Sequence, residues 1–153
     1  MKIEWKGSKE FMIECKLASE HPNIHWLGKV PYEDVPSYHA ACDIFVSPAR
    51  FMPYTINPNE AWGMVVNEAM SLSKPVIVSN AVGASDVVDE SNGLKVVAGD
   101  VDSLYNAMNK MLDMDLGEMG KASRKKIDET WNFDNMAKGF FNAINYVGGN
   151  IDG

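Results

Sequence analysis

Asn57-Pro-Asn-Glu60-Ala-Trp-Gly63-Met-Val-Val-Asn-Glu68-Ala-Met-Ser-Leu-Ser-Lys-Pro75-Val-Ile-Val-Ser79 sets the frame for the whole chain. It begins as a loop with Pro58. A helical run opens at Gly63 and continues to Leu72. A lysine-proline turn breaks it, and Val76 to Ser79 follows as a short apolar run. Runs of four to eight β-branched residues bounded by turn signals suit a buried strand. The order is therefore loop, helix, tight turn, buried strand. Two glutamates, Glu60 and Glu68, lie on either side of the glycine.

Working outward, the same alternation recurs on both sides. Ile3 to Trp5 is a strand candidate, and Lys9 to Glu20 a helix with Phe11, Cys15 and Ala18 on one face. Pro22 stops that helix, because a proline disfavours helical backbone in the residue before it. Ile24 to Leu27 reads as the next strand, ended by Gly28. A short helix runs from Pro31 through Ala41, and Asp43 to Ser47 is a third strand, stopped by Pro48. Residues Ala49 to Asn59 carry two prolines and no period, a loop of functional length. Beyond Ser79, Asn80 to Ala84 is a polar turn, Ser85 the N-cap of a short helix to Glu90, and Leu94 to Val97 the last strand. The remainder is helical, over Leu104–Leu112, Gly117–Thr130 and Phe133–Val147, with a polar tail over 148–153. Strands that alternate with helices and are almost continuously apolar predict a parallel sheet covered on both faces, a Rossmann-like α/β fold. Ligands of such sheets sit at the carboxyl ends of the strands.

With 153 residues the chain has the size of one domain, and 46% apolar against 23% charged residues is ordinary for a globular core. A net charge of −7 excludes the basic footprint that nucleic-acid binding needs. No apolar run is long enough for a transmembrane helix, and the start lacks a signal-peptide core. Cys15 and Cys42 lie in periodic apolar contexts and read as reduced core residues, which places the chain in the cytoplasm. His21, His25 and His39 read as structural, and no cluster has metal-ligand spacing.

Eight residues of helix span about 12 Å. This separation is far beyond the roughly 5 Å between the carboxylates of a retaining glycosidase. It matches the distance between the two sugars of a nucleotide-sugar. The amides of Gly63, Met64 and Val65, at a helix N-terminus, would face the diphosphate between them. Ionised carboxylates suit hydroxyl recognition because they accept bonds in a fixed geometry. Spacing alone leaves the bland readings open: Glu60 as a surface loop residue, Glu68 as a solvated helix position.

The stretch from Glu60 to Ser79 resembles the E-x7-E signature of the group 1, retaining glycosyltransferases of GT-B fold. His25-Trp-Leu-Gly28 with Pro31, Tyr38-His-Ala-Ala-Cys-Asp43-Ile-Phe-Val-Ser-Pro48, Val82-Gly83 and Asn92-Gly-Leu94 resemble further parts of the same family. The resemblance covers about residues 1–147 and implies the C-terminal, donor-binding half of the fold. It implies that Glu60 contacts the donor sugar at the reaction centre and that Glu68 holds the ribose hydroxyls. It places Gly63, Met64 and Val65 at the phosphates, Gly28, Lys29 and Val30 near the base, and requires no metal and no further cofactor.

The resemblance also implies what the chain lacks: the N-terminal acceptor domain, and the first strand and helix of this half with their basic pair. Arg50 stands as a partial substitute for that pair at the diphosphate. The loop from Arg50 to Asn59 is longer than usual, and Ala84 replaces a frequent second glycine. The last helix, with Phe140, Phe141, Ile144 and Val147, is expected to be partly exposed or buried in a homodimer, or to meet a separate N-terminal half. The full enzyme is expected to be cytoplasmic or peripheral at a membrane. A non-catalytic nucleotide-sugar-binding module, or one subunit of a split transferase, is the alternative expectation. A response-receiver regulator fits less well, for no acidic cluster follows the first strand.

Overall fold

A computed structural model of the chain describes residues 20–50 and 62–148. The expected strand at Ile3, the helix from Lys9, Cys15, Glu60 and the tail beyond Gly148 lie outside these. The chain divides into two units, Met1–Val35 and Pro36–Gly153. In the first, the described residues hold a 3-10 turn, Tyr32–Asp34, closed by Asp34 N–H donating to Pro31 O at 3.0 Å. Gly28 takes the left-handed φ of +68° expected of a chain-reversing glycine. The strand expected over Ile24–Leu27 does not form. A strand exists through its ladder, and among the described residues these four join none. Ile24, Trp26 and Leu27 are about half exposed.

The second unit is built on a three-stranded parallel sheet in the order β1-β2-β3. Its strands are β1 Phe45–Ser47, β2 Val76–Ser79 and β3 Gly93–Val96. In register, Phe45 pairs with Val76 and Val76 with Gly93. β2 is central, and all four of its residues are buried. Its side chains alternate between faces. Val76 and Val78 pack with Val66, Ala69 and Met70 of α2 (Met64–Ser71) and with Val82, Ala84 and Val87 around the 3-10 turn Gly83–Val87. Ile77, on the other face, joins Leu94 and Val96, Ala107 and Met111 of α3 (Val101–Leu112), and Met119 of α4 (Leu116–Glu129). Both connections, β1 to β2 and β2 to β3, step across the sheet in one direction. Right-handed crossovers then put both on one face, leaving the other for α3. Ahead of the sheet lies α1, Val35–Ala41, and behind it α5, Phe133–Gly148.

Local chemistry sets the helix ends. Asp100 accepts from Ser103 N–H at 2.9 Å and Asp115 from Glu118 N–H at 3.0 Å, so α3 and α4 each start on an aspartate cap. The short helix expected to start at Ser85 is instead the 3-10 turn that begins at Gly83. Ala84 N–H donates to Trp62 O at 2.7 Å and Ser85 N–H to Val82 O at 2.9 Å, which winds the chain two residues earlier and leaves Ser85 inside the turn. The predicted third strand is shorter at its start, since Asp43 and Ile44 are still turning. In α5, Phe140, Phe141, Ile144 and Val147 are exposed, and no residue of that helix is buried.

Two polar devices lock the turn before β3. Asn92 is fully buried, and its Oδ1 accepts from Asp89 N–H at 2.9 Å and from Lys126 Nζ at 3.0 Å. Lys126 also pairs with Asp89 Oδ2 at 2.5 Å. The Lys126 ammonium, donating to Asp89, holds that carboxyl at about 2, well below its ordinary 3.8. Because the folded pKa is depressed, the pair stabilises the fold above about pH 4 and loses that contribution as pH falls toward about 2. Asp89→Asn is expected to flatten the stability profile across that acid window, followed by urea unfolding at stepped pH; an unchanged slope would contradict the pairing.

Gly93 sits where β3 meets β2. A Cβ there would lie 2.2 Å from Val76 O, a backbone atom that the ladder holds in place. Gly93→Ala is therefore expected to cost about 3 kcal/mol. By contrast, Gly139 in exposed α5 has nothing within 4 Å of such an atom. Gly139→Ala is expected to stabilise by up to about 1 kcal/mol through helix propensity. Chemical denaturation of both variants checks the contrast.

Candidate functional site

The site grows from Trp62, two residues before α2. Trp62 is held at three points. Its carbonyl takes the Ala84 N–H, its indole Nε1 donates to Asn67 Oδ1 at 3.1 Å, and its ring stacks on Trp131 with centroids 5.3 Å apart. The chain leaves this anchor through Gly63, which is buried with φ +85° and ψ +58°. Only glycine takes that conformation without strain. The turn aims the backbone into α2, where Val66 N–H bonds Gly63 O at 2.9 Å. The first amides of a helix have no acceptor within it, so Met64 and Val65 begin α2 as donors with the positive end of the helix dipole behind them. Their side chains are partly exposed, at 48% and 38%.

Glu68 lies five residues past Gly63, roughly 7.5 Å along the helix. Its side chain is 32% exposed, and Oε2 lies 3.6 Å from Nε2 of His39 on α1. His39 is buried, its ring edge-on to Phe45 of β1 with centroids 5.1 Å apart. Three residues on, Cys42 is half-buried, its Sγ donating to His39 O at 3.2 Å; desolvation pushes its thiol up.

At the carboxyl edge of the sheet the loops are tied to one another. Ser79 Oγ donates to Ala49 O at 2.5 Å, Asn80 Oδ1 takes Ala98 N–H at 2.8 Å and Ser103 Oγ takes Val97 N–H at 3.1 Å. A cavity of about 220 Å³ opens there, lined by Pro48, Arg50, Ser79, Val97, Asp100 and Val101 among others. Its described lining includes the first turn of α3 and no residue of α2. Arg50 therefore stands at the mouth of the α3 side, while Gly63, Met64, Val65 and Glu68 share α2 and its entry on the opposite face of the sheet. Gly28 and Lys29 are exposed and Val30 half-buried, all three in the first unit. Glu60 lies outside the described residues. Among the described residues no three His, Cys, Asp or Glu side chains are placed to hold a metal ion, and no helix is long and apolar enough to cross a membrane.

Reading the sequence singled out the glycine and Glu68 but missed Trp62, Trp131 and His39. Trp62 and Trp131 are 69 positions apart, and His39 and Glu68 are 29. No local pattern links such residues; packing of α4 against α2 brings the tryptophans together, and the approach of α1 to α2 brings His39 to Glu68.

Residues 6–130 match the family model described as glycosyl transferases group 1. The chain belongs to this family. Its similarity to a Corynebacterium glutamicum protein, a GDP-mannose-dependent monoacylated alpha-(1-6)-phosphatidylinositol monomannoside mannosyltransferase, is 32% identity over 93% of the chain and 38% of that protein. Among solved structures, sucrose-phosphate synthase from Thermosynechococcus elongatus superposes with a TM-score of 0.70 at 25% identity, over 92% of this chain and 35% of that one. The C-terminal domain of a group 1 glycosyl transferase from Francisella tularensis superposes at 0.65 and 19% identity, over 82% of this chain and 62% of that one. The fold of this glycosyltransferase chain is thus that of a GT-B C-terminal domain, Rossmann-like with helices on both faces. The chain spans less than half the length of the curated mannosyltransferase it matches.

Proposed function

We propose that this group 1 chain supplies the donor-binding half of a retaining glycosyltransferase. The observation that carries the reading is the left-handed Gly63 opening α2, with Glu68 on the same helix at the covered edge of a parallel sheet. A diphosphate is recognised by the amides of Gly63, Met64 and Val65, which need no lysine or arginine to attract it. Glu68 accepts from the ribose hydroxyls and Glu60 from the sugar.

In the full reaction the bond between the anomeric carbon and the phosphate oxygen breaks. The anomeric carbon bonds an acceptor hydroxyl oxygen on the same face, the acceptor proton is released, and the nucleoside diphosphate departs with the bonding electrons. Donors aimed at those phosphate oxygens stabilise the charge that develops on the leaving group. The chain's share is to bind and orient the donor. The name of the corynebacterial relative makes GDP-mannose the first donor to test.

Calorimetric titration with GDP-mannose, UDP-glucose and ADP-glucose tests the reading. One of the three is expected to bind at micromolar affinity. Glu68→Ala is expected to weaken both the nucleotide-sugar and its bare nucleoside diphosphate by about tenfold or more. Glu60→Ala is expected to remove only the increment that the sugar adds. Absence of binding to all three, or equal losses from both variants for both ligands, would overturn it.

A further inference from the structure

We propose that His39 is a positioning residue for Glu68, donating from Nε2 to the carboxylate so that the site selects ribose; this rests on the reading of Glu68 given above. Three observations converge on it. The Nε2 of His39 is out of contact with solvent and has no hydrogen-bond partner among the described residues. Buried nitrogens of this kind are nearly always satisfied in folded proteins, and an orphan calls for an explanation. Glu68 Oε2 stands 3.6 Å away, just beyond bonding distance. The ring cannot swing elsewhere easily, for Phe45 meets it edge-on and its residue is only 7% exposed.

The asymmetry between the partners gives the device its direction. His39 is fixed in the core, whereas Glu68 keeps a third of its side chain in solvent and can adjust its rotamer. Bonds that are long in a free site often tighten when the ligand arrives. A carboxylate that accepts from a buried imidazole N–H is held by a charge-assisted bond at one oxygen. Oε1 is then presented, in a fixed orientation, to a hydroxyl pair. A side chain so locked recognises better than one free to rotate, since its rotamer is chosen before binding. Recognition built on one such bond also rejects the ligand that lacks the hydroxyl.

The test uses the 153-residue chain with GDP and 2′-deoxy-GDP, or the UDP pair where uridine is the preferred base. Wild type is expected to prefer the ribonucleotide by roughly tenfold or more. Glu68→Ala should abolish that preference. His39→Leu should reduce it below about threefold, while His39→Gln, whose amide keeps a donor at similar reach, should restore most of it. A His39 that only packs would lower affinity for both nucleotides alike. Retention of the full preference in His39→Leu, with its loss in Glu68→Ala, would overturn the inference and spare the Glu68 reading. Full preference in Glu68→Ala, or no nucleotide binding by wild type, would overturn both. Nitrogen-15 NMR of the wild-type imidazole gives a check that needs neither ligand nor variant: Nε2 is expected to carry a proton, and an unprotonated Nε2 would sink the idea.

Discussion

Burial of β2 on both faces and both edges is the constraint on which the rest of the second unit depends. The backbone groups of Val76 to Ser79 must find protein partners, in the ladders with β1 and β3 or in the turns at their ends, because the strand is buried. Parallel pairing on both sides forbids a hairpin and demands crossover connections. Those connections are α2 on one step and the 3-10 turn on the next, both on the same face. The carboxyl ends of the strands then become the edge where α2 begins. The position of Gly63 is thus a consequence of how β2 is paired, and its chemistry is a consequence of its position.

What secures this arrangement is apolar packing with a few buried polar ties rather than surface charge. The Lys121–Glu118 and Arg124–Asp128 pairs are well exposed and contribute little. Asn92 and Lys126 do more, since they satisfy the turn that brings Gly93 under Val76. Trp62 does the equivalent on the functional edge. Through Ala84, Asn67 and Trp131 it joins the 3-10 turn, α2 and the segment before α5 at one point. The anion site proposed at the N-terminus of α2 requires an immobile entry, and this anchor fixes that entry.

Elements with strong local signals were legible in the sequence. β2 and α2 lie where the apolar run and the helical period put them, within a residue at each end. The apolar stripe of the last helix was legible, with the expectation that it is partly exposed or covered by a partner; in the single chain it is exposed. Ile24 to Leu27 misled because the strand propensity of an apolar tetrapeptide is weak beside the tertiary context that decides its backbone. Ser85 misled because a good cap residue gives way when the backbone already has better acceptors upstream. His39 was invisible as anything but a core residue. Its meaning depends on a carboxylate 29 residues away.

The central claim is that the entry to α2, and not the cavity on the α3 side, receives the donor. Backbone NMR shifts during titration with GDP-mannose, or with whichever nucleotide-sugar binds, decide it directly. The account predicts the largest changes at the amides of Gly63, Met64 and Val65, extending to Glu68. Largest changes at Val97, Gly99 and Val101, with Gly63 to Val65 unmoved, would contradict it.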